Sequence, residues 1–230
     1  RLGDVSLTLE VIGAIELPED KVTAFRTLAL HLAKAGNQAD ALKVANQAAT
    51  TARTVPGPIR NRAVSHAALA FAEAGDAKSA LTVASAIEDG YWRTMTLAEI
   101  GSLQGVGGNL PGATETVSRA LQVADSTKFV LGSKTEALRA IARAQARIGL
   151  AEDSLDWANK RASPHEKSYA LVGVAEGLED RQIQERKLVL VREITTAIEQ
   201  FKDAGNRANS IAALGKIGEP AIYPLRAALT

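Results

Sequence analysis

The sequence predicts an all-α fold, a right-handed α-solenoid of antiparallel helix pairs. Two observations lead to this prediction. A short sequence motif, which we call the phrase, recurs along the chain. It consists of a basic residue, any two residues, a small and an apolar residue, any two residues, and then another apolar and a small residue. Its copies start 33 to 41 residues apart. A glycine lies 15 positions after the first residue in each of the first four copies. Spacings in this range are typical of helical repeats that stack on their neighbours. The copies begin at Lys21, Arg60, Arg93, Lys134, Lys167 and Arg207.

The recurring phrase is one face of the first helix in each pair. Apolar residues three and four positions apart fall on one side of an α-helix, and small residues beside them let a neighbour approach closely. The glycines at 36, 75, 108 and 149 are expected to adopt the left-handed conformation that ends a helix. First helices are therefore predicted near 19–35, 58–74, 91–105, 132–148, 165–179 and 206–217.

Second helices are predicted to follow the glycine turns and to complete a single solenoid array over residues 1–230. We divide this array into a partial leading repeat at 1–17, four units over 18–164, and C-terminal units over 165–230. Because the helix predicted at 5–12 has no first helix before it, we expect the chain to be a fragment of a longer repeat protein. The second helices are predicted near 38–53, 77–88, 111–125, 151–161, 182–203 and 219–229.

The first four units resemble tetratricopeptide repeats. That family places a small residue about seven positions before the interhelix glycine, Asp or Asn directly after it, and alanine five positions past it. The segment 212–229 resembles one HEAT repeat. Both resemblances imply a superhelix that binds proteins or peptides on a concave face, and neither implies an active site. The matching residues are Ala29, Ala68, Gly101 and Ala142; then Asn37, Asp76 and Asn109; then Ala41, Ala80 and Ala113, with Ser154 in the fourth unit.

Composition and charge argue against several classes of function. The 27 basic and 26 acidic residues give a net charge of +1, whereas a nucleic-acid-binding solenoid needs a continuous basic path. The chain has no cysteine for a disulfide or a thiolate site, and no apolar run approaches the roughly 18 residues that cross a bilayer. His31, His66 and His165 lie in different units without ligand spacing. We therefore predict no metal, no cofactor, no catalytic residue and no membrane span.

A group of arginines forms the candidate partner-binding site. Arg139, Arg143 and Arg147 stand at i, i+4 and i+8, which places them in one stripe on one helix face. Arg26 and Arg62 occupy comparable places in the first and second units, and in the tetratricopeptide family such positions tend to line the groove. These five arginines would form a basic groove that holds carboxylates of an acidic peptide or of a C-terminus. The alternative is a solvated face on which arginine stems cover alanine.

Two further features allow a structural and a functional interpretation. A cation lies at the start of each first helix. We favour a structural role, in which its side chain bonds carbonyl groups at the end of the preceding second helix or pairs with an acidic residue of the neighbouring unit. The alternative is a functional role, in which these cations form an exposed ladder along one edge of the superhelix. Tyr91, Trp92 and Trp157 are predicted to pack in the joints between units, with an exposed binding anchor as the alternative.

The sequence as a whole predicts a non-enzymatic scaffold that binds a protein or an acidic peptide segment on its concave face. The alternative is an accessory subunit, or a lyase-like HEAT-type solenoid, that acts on a small cofactor or a modified protein. That alternative requires a deep pocket with converging polar groups.

Overall fold

A computed structural model describes residues 5–130 and 132–179 of the chain. Within these residues the chain forms ten helices and no strand, which confirms the predicted all-α fold. The helices predicted at 182–203, 206–217 and 219–229, and the HEAT-like segment, lie outside the described residues. The helices are α1 (Val5–Gly13), α2 (Pro18–Lys34), α3 (Gln38–Ala52), α4 (Ile59–Glu73), α5 (Ala77–Ala84), α6 (Gly90–Val106), α7 (Leu110–Ser126), α8 (Ser133–Arg147), α9 (Ala151–Asn159) and α10 (Pro164–Glu179).

The helices are arranged in two layers. The first helices α2, α4, α6, α8 and α10 pack against one another in chain order. The second helices form the other layer, in which α3 contacts α2 and α4, α5 contacts α4 and α6, and α7 and α9 continue the pattern. Helix α1 packs on α2. This is a solenoid of helix pairs, in which each unit is stabilised mainly by its neighbours.

The turns inside the pairs follow the predicted chemistry. The four interhelix glycines have φ between +79° and +99°, so each ends its first helix in the left-handed conformation. A polar residue follows each of the first three glycines and caps the second helix. The side chains of these residues, Asn37, Asp76 and Asn109, accept hydrogen bonds from backbone N–H groups three residues further along the chain. The four glycines are Gly36, Gly75, Gly108 and Gly149.

Helix α5 is shorter than the sequence predicts. It ends at Ala84, whereas the prediction extends to residue 88. The chain turns early because Ile87 enters the core, where its side chain is fully buried, and because its carbonyl oxygen accepts a hydrogen bond from Arg93. Burial of one large apolar side chain outweighs the helix propensity of the alanine-rich segment before it.

Buried alanines dominate the core, which allows the helices to approach closely. The closest approach lies between α8 and α10. A Cβ atom at Gly173 would overlap the carbonyl oxygen of Arg139, and a Cβ at Gly177 would overlap that of Arg143. These two glycines therefore let the α10 backbone rest directly on the α8 backbone.

The cations that head the first helices have the structural role that we favoured, at three positions. Lys21 Nζ donates to the carbonyl oxygen of Gly13 at 2.9 Å, and Arg93 Nε donates to that of Ile87 at 2.6 Å. Lys134 Nζ binds Glu166 Oε1 of the next first helix at 2.7 Å. These contacts tie α2, α6 and α8 to the segments that flank them in the array.

Candidate functional site

A cavity of about 330 Å³ opens on the first-helix layer, and its lining residues all come from α2, α4, α6 and α8. Because no second-helix residue lines it, the cavity lies on the face of this layer that points away from the second helices. We call this face the groove and the opening the groove cavity. Leu69, Trp92 and Met95 supply an apolar lining, while Arg26 and Arg143 contribute cationic groups.

Of the five arginines predicted to bind a partner, Arg26 has the most buried counter-ion. Its guanidinium donates to Glu73 Oε1 from Nη2 at 2.6 Å and from Nε at 3.1 Å, which joins α2 to α4. The Glu73 side chain is only 6% exposed. Arg26 thus lines the groove cavity with its charge already balanced inside the protein.

The arginine stripe of α8 divides between two neighbouring helices. Arg139 binds Glu176 of α10, with Nε donating to Oε2 at 3.0 Å, and this hydrogen bond raises the pKa of Arg139. Arg143 and Arg147 share Glu99 of α6, at 3.7 Å from Arg143 Nη2 to Oε2 and 3.4 Å from Arg147 Nη1 to Oε1. The stripe therefore links α8 to α6 on one side and to α10 on the other.

Arg62 differs from the other four. It is exposed on α4, and within residues 5–130 and 132–179 it makes no hydrogen bond or ion pair. Only Arg26 and Arg143 of the five lie at the cavity.

The sequence interpretation missed the carboxylates that pair with these arginines. Glu73, Glu99 and Glu176 all lie on first helices, on the same face as the arginines they bind. Their positions in the repeat give no common signal, because Glu176 falls where the preceding unit has Arg143, whereas Glu73 and Glu99 fall at two other positions of the repeat.

A neutral histidine lies between the cations of the groove. His66 lines the cavity, and its Nδ1 is 3.0 Å from Thr23 Oγ1 on α2. Burial, together with the nearby charges of Arg26 and Arg62, lowers the pKa of His66 to about 4. At neutral pH the imidazole is uncharged, so it offers a hydrogen-bonding group without adding to the positive charge.

Trp92 packs inside the array, as predicted, while a role as a binding anchor stays a prediction. It packs against the main core cluster and also lines the groove cavity, with the Tyr91 ring edge-on at 5.6 Å between ring centroids. Trp157 lies away from the cavity and packs beneath the guanidinium of Arg161, 4.6 Å from the ring centroid. Only Trp92 is placed to contact a molecule in the groove.

The groove cavity lies beside a joint that is held differently from its neighbours. Among the described residues no ion pair bridges α4 to α6, whereas ion pairs bridge α2 to α4, α6 to α8 and α8 to α10. Thr96 Oγ1 and Ser65 Oγ instead form a buried hydrogen bond at 2.7 Å, in which Thr96 accepts because its own hydroxyl donates to the carbonyl oxygen of Trp92. The cavity thus opens beside the α4–α6 joint, where no ion pair between long side chains of the described residues covers the gap between the two first helices.

The part of the chain that the structure describes contains neither a cluster of metal ligands nor a membrane-spanning helix. There is no group of three or more His, Asp or Glu residues that would hold a metal ion. No helix there has the length and apolar character needed to cross a membrane.

Comparisons with known proteins give similarity to solved structures only. No protein-family model matches the chain, and neither does any curated protein. Ton1535 from Thermococcus onnurineus NA1 is 12% identical over 95% of this chain and 92% of its own, with a TM-score of 0.41. The nearly identical TPR-like repeats assigned to a Podosopora anserina kinesin light chain are 17% identical over 94% of this chain and 97% of their own, with a TM-score of 0.39. A variant of the same Podosopora anserina repeats is 16% identical over 92% of this chain and 99% of its own, also with a TM-score of 0.39.

Proposed function

We propose that this chain is a non-enzymatic protein-interaction module whose groove holds an acidic segment of a partner protein. The groove cavity carries this proposal, because it places the apolar surface of Trp92 and Met95 beside the guanidinium of Arg143, whose side chain is 43% exposed. Tryptophan and arginine are the residue types that most often dominate binding energy at protein interfaces. Solenoids of this kind use the surface along the array for binding.

The size and charge of the cavity define what it would take. At about 330 Å³ it is near the lower end of ligand sites, so it would receive one or two side chains while the remaining segment lies along the groove. An apolar side chain would enter between Leu69, Trp92 and Met95. A carboxylate next to it would meet Arg143, because guanidinium groups bind carboxylates through two parallel hydrogen bonds.

The polar groups of the groove support a binding role rather than a catalytic one. The pairs Arg26–Glu73 and Arg139–Glu176 are fixed by short hydrogen bonds across helix joints, which suits them to hold the array together. The Thr23 hydroxyl beside His66 donates to the carbonyl oxygen of Glu19 at 3.0 Å, so its proton is directed away from the imidazole rather than towards it as in a base–nucleophile pair.

The test selects peptides from a random displayed library on the immobilised chain and measures their affinity for variants. We expect the selected peptides to combine an apolar residue with a carboxylate and to bind Arg143→Gln about tenfold more weakly, the loss of one charge-assisted contact. Arg62→Gln is the matched control, since Arg62 is an exposed arginine on another first helix, α4, and lies outside the cavity. Reversal of the whole arginine stripe is less informative, because it would oppose Glu99 and Glu176 with new negative charges.

Met95 provides an independent readout of where the peptides bind. It is the single methionine of the sequence, so its ¹³C-labelled methyl group reports on the cavity by NMR. Peptides that bind equally to the Arg143→Gln protein and leave the Met95 methyl resonance unchanged would contradict the proposed function.

A further inference from the structure

The ion pairs of the groove differ in length, and the longest one, between Glu99 and Arg143, lies at the cavity. Arg26 and Glu73 meet at 2.6 Å, and Arg139 Nε meets Glu176 Oε2 at 3.0 Å. Glu99 lies 3.7 Å from Arg143 and 3.4 Å from Arg147, whereas charge-assisted hydrogen bonds are usually about 2.7–2.9 Å long. One carboxylate is thus divided between two guanidinium groups and holds neither closely.

Exposure separates Glu99 from the other two glutamates in the same way. Its side chain is 33% exposed, compared with 6% for Glu73 and 14% for Glu176. A carboxylate in this position exchanges an arginine partner for water at little cost, while a buried one would be left unpaired. Glu99 and Arg143 both line the groove cavity.

We propose that Glu99 is an internal competitor for the ligand carboxylate. In the free protein it occupies the face of Arg143 that a peptide carboxylate needs, and binding displaces it. This inference rests on the proposed function and adds the mechanism by which the groove sets its affinity. Because Arg147 also binds Glu99, the α6–α8 joint keeps an ion pair after Arg143 has been released.

This arrangement also defines the class of ligand. After displacement Glu99 stays beside the cavity, so a second negative charge on the ligand would be repelled by it. The groove therefore favours a single carboxylate next to an apolar side chain over a cluster of acidic residues. A chain terminus and an aspartate or glutamate side chain both supply such a group.

The experiment follows the Met95 methyl resonance while small peptides of defined charge are titrated. The probes are acetyl-leucyl-leucine with a free carboxylate, the same peptide as its neutral amide, and acetyl-aspartyl-leucine amide. We expect Glu99→Gln to bind the preferred carboxylate probe about two- to fivefold more tightly than the wild-type protein, the range that one loose ion pair supplies. The neutral amide should bind both proteins equally. The stronger of the two carboxylate probes identifies the source of the charge.

Glu176→Gln is the matched control, because it removes a groove glutamate that does not line the cavity; it should leave all three affinities unchanged. If Glu99→Gln binds the carboxylate probes no more tightly than wild type, the competitor role is wrong, while binding to the wild-type protein would still support the proposed function. If no probe shifts the Met95 methyl resonance in either protein, both proposals fail. Glu99→Asp, which is too short to span both arginines, gives the same comparison should Glu99→Gln fold poorly.

Discussion

Arg26 and Arg62 both lie close enough to His66 to lower its pKa, yet their own surroundings differ. Arg26 is paired with the nearly buried Glu73, and Arg62 is exposed. We expect Arg26→Gln to lower the free energy of unfolding by about 1–3 kcal/mol, because it leaves Glu73 buried without its partner. Arg62→Gln should change it by less than about 0.5 kcal/mol.

Urea unfolding at pH 7 measures both values. An equal effect of the two changes would mean that the Arg26–Glu73 pair contributes no more than an ordinary surface charge.

His66 makes stability depend on pH in a defined direction. Its folded-state pKa of about 4 lies below its ordinary value of 6.5, so between these values the unfolded chain binds more protons. The contribution of His66 to the free energy of unfolding is therefore complete above pH 6.5 and is lost as the pH falls towards 4. Arg26 and Arg62 are the charged groups that act on it.

We expect the wild-type protein to lose more stability than His66→Gln when the pH falls from 7.5 to 4.5, as measured by urea unfolding. Equal losses would contradict the assignment. The imidazole resonances of His66 should also remain those of the neutral form down to pH 5.

The arginines of the groove could be found from the sequence, but their partners could not. Helical spacing places Arg139, Arg143 and Arg147 on one stripe whatever surrounds it. Which carboxylate each one meets depends on the stagger between neighbouring first helices, and this stagger is set by packing across the joint. Arg139 meets Glu176 of the following helix and Arg147 meets Glu99 of the preceding one, so two residues of one stripe bond in opposite directions.

At the scale of the element, the predictions that succeeded depend on local chemistry. The left-handed glycines and the caps formed by Asn37, Asp76 and Asn109 need only a few neighbouring residues, so the sequence is sufficient to place them. The end of α5 depends on Ile87, which lies beyond the helix with its side chain fully buried, and the sequence pattern did not indicate this burial.

The contact between α8 and α10 leads to a prediction about Gly173. Alanine normally stabilises a helix relative to glycine by about 1 kcal/mol. Here we expect Gly173→Ala to destabilise the protein by about 1–3 kcal/mol, because the added methyl group would overlap the Arg139 carbonyl oxygen and force the helices apart. Gly13→Ala is the control, since Gly13 lies at a helix end with open space around it.

Thermal unfolding followed by circular dichroism measures both changes. A Gly173→Ala protein as stable as the wild type would show that α10 does not rest on α8 as closely as the structure indicates.

At the scale of the whole molecule, the buried residues divide into two clusters that meet at α8. One extends from Ile12 to Ile148, and the other includes Ala142, Ala146 and the buried face of α10. Trp92 packs on the first cluster only, whereas Trp157 packs on both, so the two tryptophans report on different parts of the array.

In the Gly173→Ala protein the fluorescence change of Trp157 should therefore precede that of Trp92 on heating.

The architecture at this scale was predictable because the phrase recurs, and each copy predicts the same helix-pair arrangement independently. Each copy of the phrase predicts a helix with a close neighbour, and an error in one copy leaves the others unchanged. The division into four units over 18–164 with C-terminal units beyond them stays a prediction, as part of it falls outside the described residues.

The ion pairs between first helices have a consequence for how such an array can change in evolution. Going along the chain, Arg26 meets an acid on the next first helix, Glu99 meets bases, and Arg139 meets an acid again. The units therefore carry a fixed order. Duplication, deletion or exchange of a single unit would leave at least one of these charged side chains without its partner, so the array is expected to diversify by substitution within its units rather than by shuffling them.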